Sequence, residues 1–439
     1  MNSTKQTFAQ ATSGKQNTLF AFCLITSLFF LWGFAHNLDP ILIPHLKKSF
    51  TLSTVQATLV DSSVFAAYFV MALPAGFIMK KYGYKAGIIA GLLVFACGSF
   101  LFVPAADMQS YTFFLIALFI IACGLTILET AANPYAAALG DPEKGPQRLN
   151  LAQSFNGLAA ALAPAIGARI IFTKGYSETE LSGMPESART LALAAEASTV
   201  KLPYMVLGVV LVVVALLFAI TKLPPLTSSN DTAKSKSVFH ALKHRHLSWA
   251  VAAQFFYVGA QVCVFSLFIL YTTKSAGLSE IKAADFLGIC TTAFLIGRFV
   301  GTLLMQRIKP QTLLVVYALI NVVLCIAAMF VSGMPSVYIL IGIGFFMSVM
   351  FPTIFALGIK DLGGDTEYGS SLIIMSIVGG AILPSIFGMI SDFTGNIQLG
   401  YAVPVVCFCV VALFGAKGYR VAKKQEHAFL EDEVLTTSV

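Results

Sequence analysis

About twelve runs of roughly twenty apolar residues punctuate this 439-residue chain, more than a soluble core could hide. A helix needs about 20 mostly apolar residues to cross a bilayer. The runs lie near 18–46, 56–79, 84–104, 111–139, 149–172 and 203–223, then near 248–273, 282–306, 311–332, 335–359, 368–391 and 396–417. Helix is the form they must take, because in hydrocarbon each backbone N–H and C=O has to be satisfied within its own segment. Composition agrees: charged residues make up 11% and hydrophobic residues 57%. A soluble domain carries about 25% charged residues. The expected fold is an all-α membrane protein, about twelve transmembrane helices in two pseudo-symmetric six-helix bundles. The expected boundaries are a tail over 1–17, a bundle over 18–223, a linker over 224–247, a second bundle over 248–417 and a tail over 418–439.

Most joints between runs are short. Two are longer: one, 173–202, holds Glu178, Glu180, Glu186 and Glu196, and the other, 224–247, opens on Pro224-Pro225. With both termini in the cytoplasm, the inside segments carry more than twice the Lys and Arg of the outside segments, as the positive-inside rule requires. The net charge of +7 therefore records topology, and a nucleic-acid partner is not expected. The eight cysteines all lie in apolar runs without zinc or redox spacing, so they read as small apolar side chains. No metal is expected. No nucleotide-binding loop, HExxH or paired CxxC occurs, so no cofactor, ATP hydrolysis or enzymatic chemistry is expected. No cleavable signal peptide is apparent.

The two halves echo each other. "NPYAAALG" (133–140) and "FPTIFALG" (351–358) each precede a loop and a helix, ending "ALAPAIG" (161–167) or holding "AILPSIFG" (381–388). Pro134 and Pro352 are 218 positions apart, as are Gly140 and Gly358. Near-equal offsets point to a duplicated half with parallel repeats.

A charge at the bilayer centre costs about 2.5–3.5 kcal/mol on insertion scales, so each charge inside a run needs a reason. Glu129 lies halfway along the fourth run with no Lys or Arg within a turn. A carboxyl that can be neutral or charged can carry a proton or accept from a sugar; the alternative is a protonated side chain bonded between helices. Asp39 follows His36 by three positions, on one helix face, and the two could relay a proton; the alternative is a helix end near the headgroups. Asn150, Gln153 and Asn156 form one polar stripe, and Gln254, Tyr257 and Gln261 another. Amides both donate and accept, as sugar hydroxyls require, whereas the alternative is helix–helix hydrogen bonding. Trp32 and Tyr257 offer rings for a sugar's apolar face, and Asn37 and Asn133 join the amide set. Arg298 reads as a structural or gating charge. Lys80, Lys81 and Lys85, in "PAGFIMKKYGYKAG" (74–87), read as a cytoplasmic anchor and gate.

The "GFIMKKYGYKAG" loop and the six-plus-six pattern resemble the major facilitator superfamily, with Lys80 where its loop signature usually has an acid. "LETAANPY" (128–135), "RLNLAQSFNG" (148–157), "AQFFYVGAQ" (253–261) and "DTEYGSSLIIMSIVGGAILP" (365–384) resemble the L-fucose:proton symporter family and its hexose-carrying relatives, over nearly the whole chain. That resemblance implies proton-coupled sugar uptake across a bacterial inner membrane by alternating access. It implies an essential carboxylate at Glu129 and sugar contacts at Gln153 and Asn156. The family has Asn-Asp in the first run where this chain has Asp39-Pro40. The carboxylate thus lies one position earlier, about 100° around a helix. L-Fucose is the first expectation for the substrate, with N-acetylglucosamine, glucose or galactose as alternatives, and sodium is the alternative coupling ion. The expected partners are the sugar, the proton and the lipid bilayer, and the expected state is a monomer.

Overall fold

The computed structural model describes residues 19–35, 54–171, 183–224 and 238–421, and the chain divides into two compact units, Met1–Leu226 and Thr227–Val439. Every regular element among the described residues is helical. The first unit holds α1 (Leu19–Ala35), α2 (Thr54–Tyr82), α3 (Tyr84–Asp107), α4 (Tyr111–Ala138), α5 (Gly145–Ile171), α6 (Glu186–Ser198) and α7 (Lys201–Ile220). The second holds α8 (Val238–Ala241), α9 (Arg245–Ser266), α10 (Phe268–Ala276), α11 (Glu280–Leu304), α12 (Pro310–Phe330), α13 (Met334–Met347), α14 (Met350–Gly358), α15 (Thr366–Met375), α16 (Gly379–Thr394) and α17 (Ala402–Leu413). Ten helical segments among the described residues are long and apolar enough to cross a membrane. The two remaining runs fall on α1 and on the 27-residue, more polar α5. The tail at 1–17, most of that at 418–439 and the linker stretch 225–237 lie outside the described residues.

In the first unit α4 is the hub, packing against α2, α3 and α5, while α3 also holds α7. Small residues permit this closeness. A Cβ on Gly124 would stand 2.5 Å from the backbone N of Phe95, so α3 and α4 touch main chain to main chain. Phe102 stacks on Tyr204 at 3.8 Å and 5°, fixing α3 to α7, and Lys201 pairs with Asp107 at their ends. Gly83, at φ 83, makes the turn from α2 into α3, a conformation that L side chains rarely adopt. One face of α7 presents Leu202, Val206, Val209, Val213, Leu216 and Ile220, all exposed. Spacings of three and four make this a continuous apolar stripe, too large for a soluble monomer's surface and suited to lipid. Within the 173–202 joint, Ala-rich Glu186–Ser198 forms α6. Alanine is the strongest helix former, and the acidic Glu186 favours the N-terminal end of the dipole.

In the second unit α9 packs on α14, α16 and α17, α12 on α13 and α17, and α11 on α13. Four apolar runs of this unit are not single α-helices, the twelfth because it opens on a 3-10 turn at Ile397–Tyr401 and ends in a π-helical turn at Phe414–Gly418. The seventh is interrupted at Leu267, between α9 and α10. The tenth breaks at Ser348–Val349, just ahead of Pro352. The eleventh passes through a 3-10 turn at Ser376–Val378. Both units repeat one local design. A helix carrying a proline (Pro134 or Pro352) leads into a 3-10 turn, Pro142–Lys144 or Gly363–Asp365, which launches the next helix.

Candidate functional site

Glu129 sits about two-thirds of the way along α4, in a stretch buried from Ile121 to Ala137. It is 9% exposed, and no ion pair reaches it among the described residues. Its partner is a phenol: Tyr68 on α2 donates its O–H to Glu129 Oε1 at 2.7 Å. Tyr68 had no place in the sequence reading. Its one sequence signal is a hydroxyl inside an apolar run, which has no periodicity. A phenol donor can serve a carboxylate or a carboxylic acid, so the pair tolerates either protonation state without a new partner.

One turn further on, Asn133 is fully buried and its Oδ1 accepts from Gln153 Nε2 on α5 at 3.2 Å. Asn133 Nδ2 has no hydrogen-bond partner among the described residues. A buried polar group left unmatched costs about 1–3 kcal/mol, so this donor is free capacity facing a chemistry that can use it. The helix here is soft. Thr126 and Thr130 bond back to the carbonyls of Ala122 and Thr126, and Pro134 has no N–H to offer the carbonyl of Thr130. Arg148, at the start of α5, donates to the carbonyls of Asp141 (2.5 Å) and Ala137 and clamps the turn between α4 and α5.

The α5 stripe divides in two. Asn150 turns back to the carbonyl of Pro146 at 2.8 Å, so its donor closes its own helix end. Asn156 is half-buried and lies so close to α1 that a Cβ on Gly33 would be 2.8 Å from its Nδ2. Next to Gly33, Trp32 is 3% exposed, with its ring 4.2 Å from that of Phe29. His36, Asn37 and Asp39 lie outside the described residues.

The second unit carries the other stripe on α9. Gln254 is fully buried, and neither its Oε1 nor its Nε2 has a partner among the described residues. Tyr257 is fully buried and its hydroxyl donates to the carbonyl of Met347 at 3.0 Å. Gln261 is half-buried. The adjoining carbonyl, of Ser348, accepts from Arg298 Nε at 2.9 Å, and the guanidinium lies 4.6 Å from the centre of the Phe294 ring. The reason is the broken helix: Pro352 cannot donate the i→i−4 bond that Ser348 would otherwise receive. Tyr257 and Arg298 therefore bind successive carbonyls at the α13–α14 break. For Arg298 that is structural work, and for Tyr257 it commits the hydroxyl to its own unit.

Lys80 and Lys81 end α2, and Lys85 begins α3. Lys85 Nζ donates to the carbonyl of Ala219 at 2.8 Å, near the end of α7, where orphan carbonyls and the helix dipole favour a cation. Lys81 lies 5.0 Å from the centre of the Tyr82 ring.

A family model described as Major Facilitator Superfamily matches residues 20–370. The L-fucose-proton symporter of Escherichia coli (strain K12) is 43% identical over 401 residues, covering 90% of this chain and 92% of its own. A glucose/galactose transporter of Brucella abortus biovar 1 (strain 9-941) is 39% identical over 409 residues, covering 93% and 96%. A crystal structure of the transporter FucP in the outward conformation matches with a TM-score of 0.86 at 43% identity, over 91% of this chain and 99% of that one.

Proposed function

Because the chain belongs to the major facilitator superfamily, we propose that it is a proton-coupled monosaccharide symporter that imports L-fucose across a bacterial inner membrane by alternating access. It is a carrier and not an enzyme, and a multi-pass membrane protein. In this reading both termini are cytoplasmic, the chain works as a monomer, and the exposed stripe of α7 meets lipid. The similarity to the L-fucose-proton symporter supports the substrate.

The observation that carries the coupling is Glu129, a buried acid inside a helix with a phenol as its hydrogen-bond partner and, among the described residues, no cation. A bare charge moved through a closed carrier is costly. Taking up a proton removes that cost, and Tyr68 holds the carboxyl in one orientation in both states. Asn133, Gln153 and Asn156 are the proposed sugar contacts beside it, with Trp32 and Asn37 on the first run. Gln254, Gln261 and the ring of Tyr257 are those proposed on α9. His36 and Asp39 are proposed as the second stage of the proton path, and Lys80, Lys81, Lys85 and Arg298 as gating or bracing charges. One proton per sugar draws about 2.3 kcal/mol from each 100 mV of membrane potential, equivalent to about 40-fold accumulation.

A second reading, uptake of glucose or galactose, is favoured by the glucose/galactose transporter's 39% identity. Proton flux into inverted or right-side-out vesicles, followed against a panel of monosaccharides, tests both. L-Fucose should drive proton entry that a protonophore abolishes and sodium does not affect. Flux only with glucose or galactose would select the second reading. Sodium-dependent uptake insensitive to protonophores would overturn proton coupling.

A further inference from the structure

A second set of chemically capable side chains lies away from the carboxyl and the amides. His240 is on α8, and His244 stands one turn later, immediately before α9. Asp365 closes the 3-10 turn ahead of α15. Two left-handed residues in the preceding turn, Asp361 (φ 55) and Gly363 (φ 52), swing the chain so that Asp365 faces both imidazoles. Its Oδ2 accepts from His240 Nδ1 at 2.9 Å and from His244 Nε2 at 3.1 Å. The three ligand-type atoms all lie within 4.8 Å of one another. The side chains of His244 and Asp365 are 8% and 7% exposed, whereas that of His240 is 49% exposed. His246 takes no part: its Nε2 lies 2.8 Å from the carbonyl of Lys360 and braces the same turn.

We propose that His240, His244 and Asp365 form a site for a divalent transition-metal ion of the zinc type, with a fourth position open to water on the His240 side. Two imidazole nitrogens and one carboxylate oxygen are the donors that a three-ligand zinc site uses, whereas calcium and magnesium require a shell of oxygens. Metal–ligand bonds of about 2.0–2.2 Å put tetrahedral neighbours roughly 3.3–3.5 Å apart. The N···O separations here fall a few tenths short of that, so a small outward swing of the exposed His240 makes room. In the metal-free cluster the two ring N–H groups converge on Oδ2. In the loaded cluster the ion takes over that convergence, and each imidazole presents a lone pair instead. Bound metal fastens the 238–244 segment to the 361–365 turn. The site is independent of the sugar reading.

Full-length, tag-free protein in detergent, stripped with a chelator, is titrated with Zn2+ by calorimetry and with Co2+ by visible absorption. One ion per chain and the intense bands of tetrahedral Co2+ are expected. Loss of an outer-shell partner weakens metal sites on the order of 10–100-fold. Losing a ligand in His240→Ala, a partly exposed position, or in Asp365→Asn should cost at least as much. Removing the exposed thiols in a Cys23→Ala, Cys97→Ala, Cys409→Ala variant should change nothing. The proposal is overturned by absence of saturable binding, by unchanged affinity in His240→Ala, or by loss of binding in the cysteine variant.

Discussion

The break between α13 and α14 makes a prediction that can be worked through from one atom. Pro352 denies the carbonyl of Ser348 its helical donor, and Arg298 Nε supplies that bond at 2.9 Å. A hydrogen bond from a charged donor is worth about 1.5–3 kcal/mol. Replacing Arg298 by Met keeps side-chain bulk but removes the donor. It also removes the contact with Phe294 and the cost of burying a charge, so the single substitution mixes several effects. A cycle with Pro352→Ala separates them. Alanine restores the N–H at 352, which can close the i→i−4 bond to Ser348, and the Arg298 bond becomes dispensable. The Phe294 and burial effects are the same in both backgrounds and cancel. Arg298→Met should therefore cost about 1–2 kcal/mol more with Pro352 present than in the Pro352→Ala background, within the range of contacting pairs. Unfolding of the purified protein in mixed micelles with increasing SDS measures all four corners. Equal costs in the two backgrounds, within about 0.5 kcal/mol, would refute the assignment of Arg298 as the donor that replaces the proline's.

Gln254→Leu should stabilise the fold by about 1–3 kcal/mol, because it removes a buried amide with both atoms unpartnered among the described residues, while weakening sugar binding; thermal unfolding and equilibrium binding on the same preparation check the two halves. Gly124→Val should destabilise by about 1–3 kcal/mol or more, since the new Cβ meets the backbone of Phe95, which cannot swing aside; a lowered melting temperature in detergent is the readout. At Gly83 an added Cβ meets no neighbour within 4 Å, so Gly83→Ala should cost only the smaller amount of a left-handed alanine, measured in the same assay.

The helical runs were legible because a bilayer imposes length and apolarity on every span, and both are one-dimensional properties. Glu129 was legible for a related reason: a lone acid within a run stands out against its own neighbours. What completes these features depends on distance across the fold. Tyr68 is 61 positions from Glu129, and its hydroxyl looks like any other phenol in an apolar run. His244 and Asp365 are 121 positions apart and meet through two left-handed residues that carry no hydrophobic pattern. The stripe on α5 was visible as a stripe, but sequence could not tell that Asn150 bends back to Pro146 while Gln153 reaches across to Asn133. Periodicity names a face and leaves each side chain's partner open. The short α6 was hidden because its apolar content is too low to announce a span, and helix propensity, even alanine's, is a weak guide over so short a stretch.

The central claim is that Glu129 carries the proton. Glu129→Gln keeps the size of the side chain and an oxygen for Tyr68 to donate to, and removes the titrating group. Reconstituted variant protein should still exchange labelled sugar across the membrane down its gradient, while losing both accumulation against a gradient and sugar-driven proton entry. Accumulation at the wild-type level, with proton entry intact, would contradict the account.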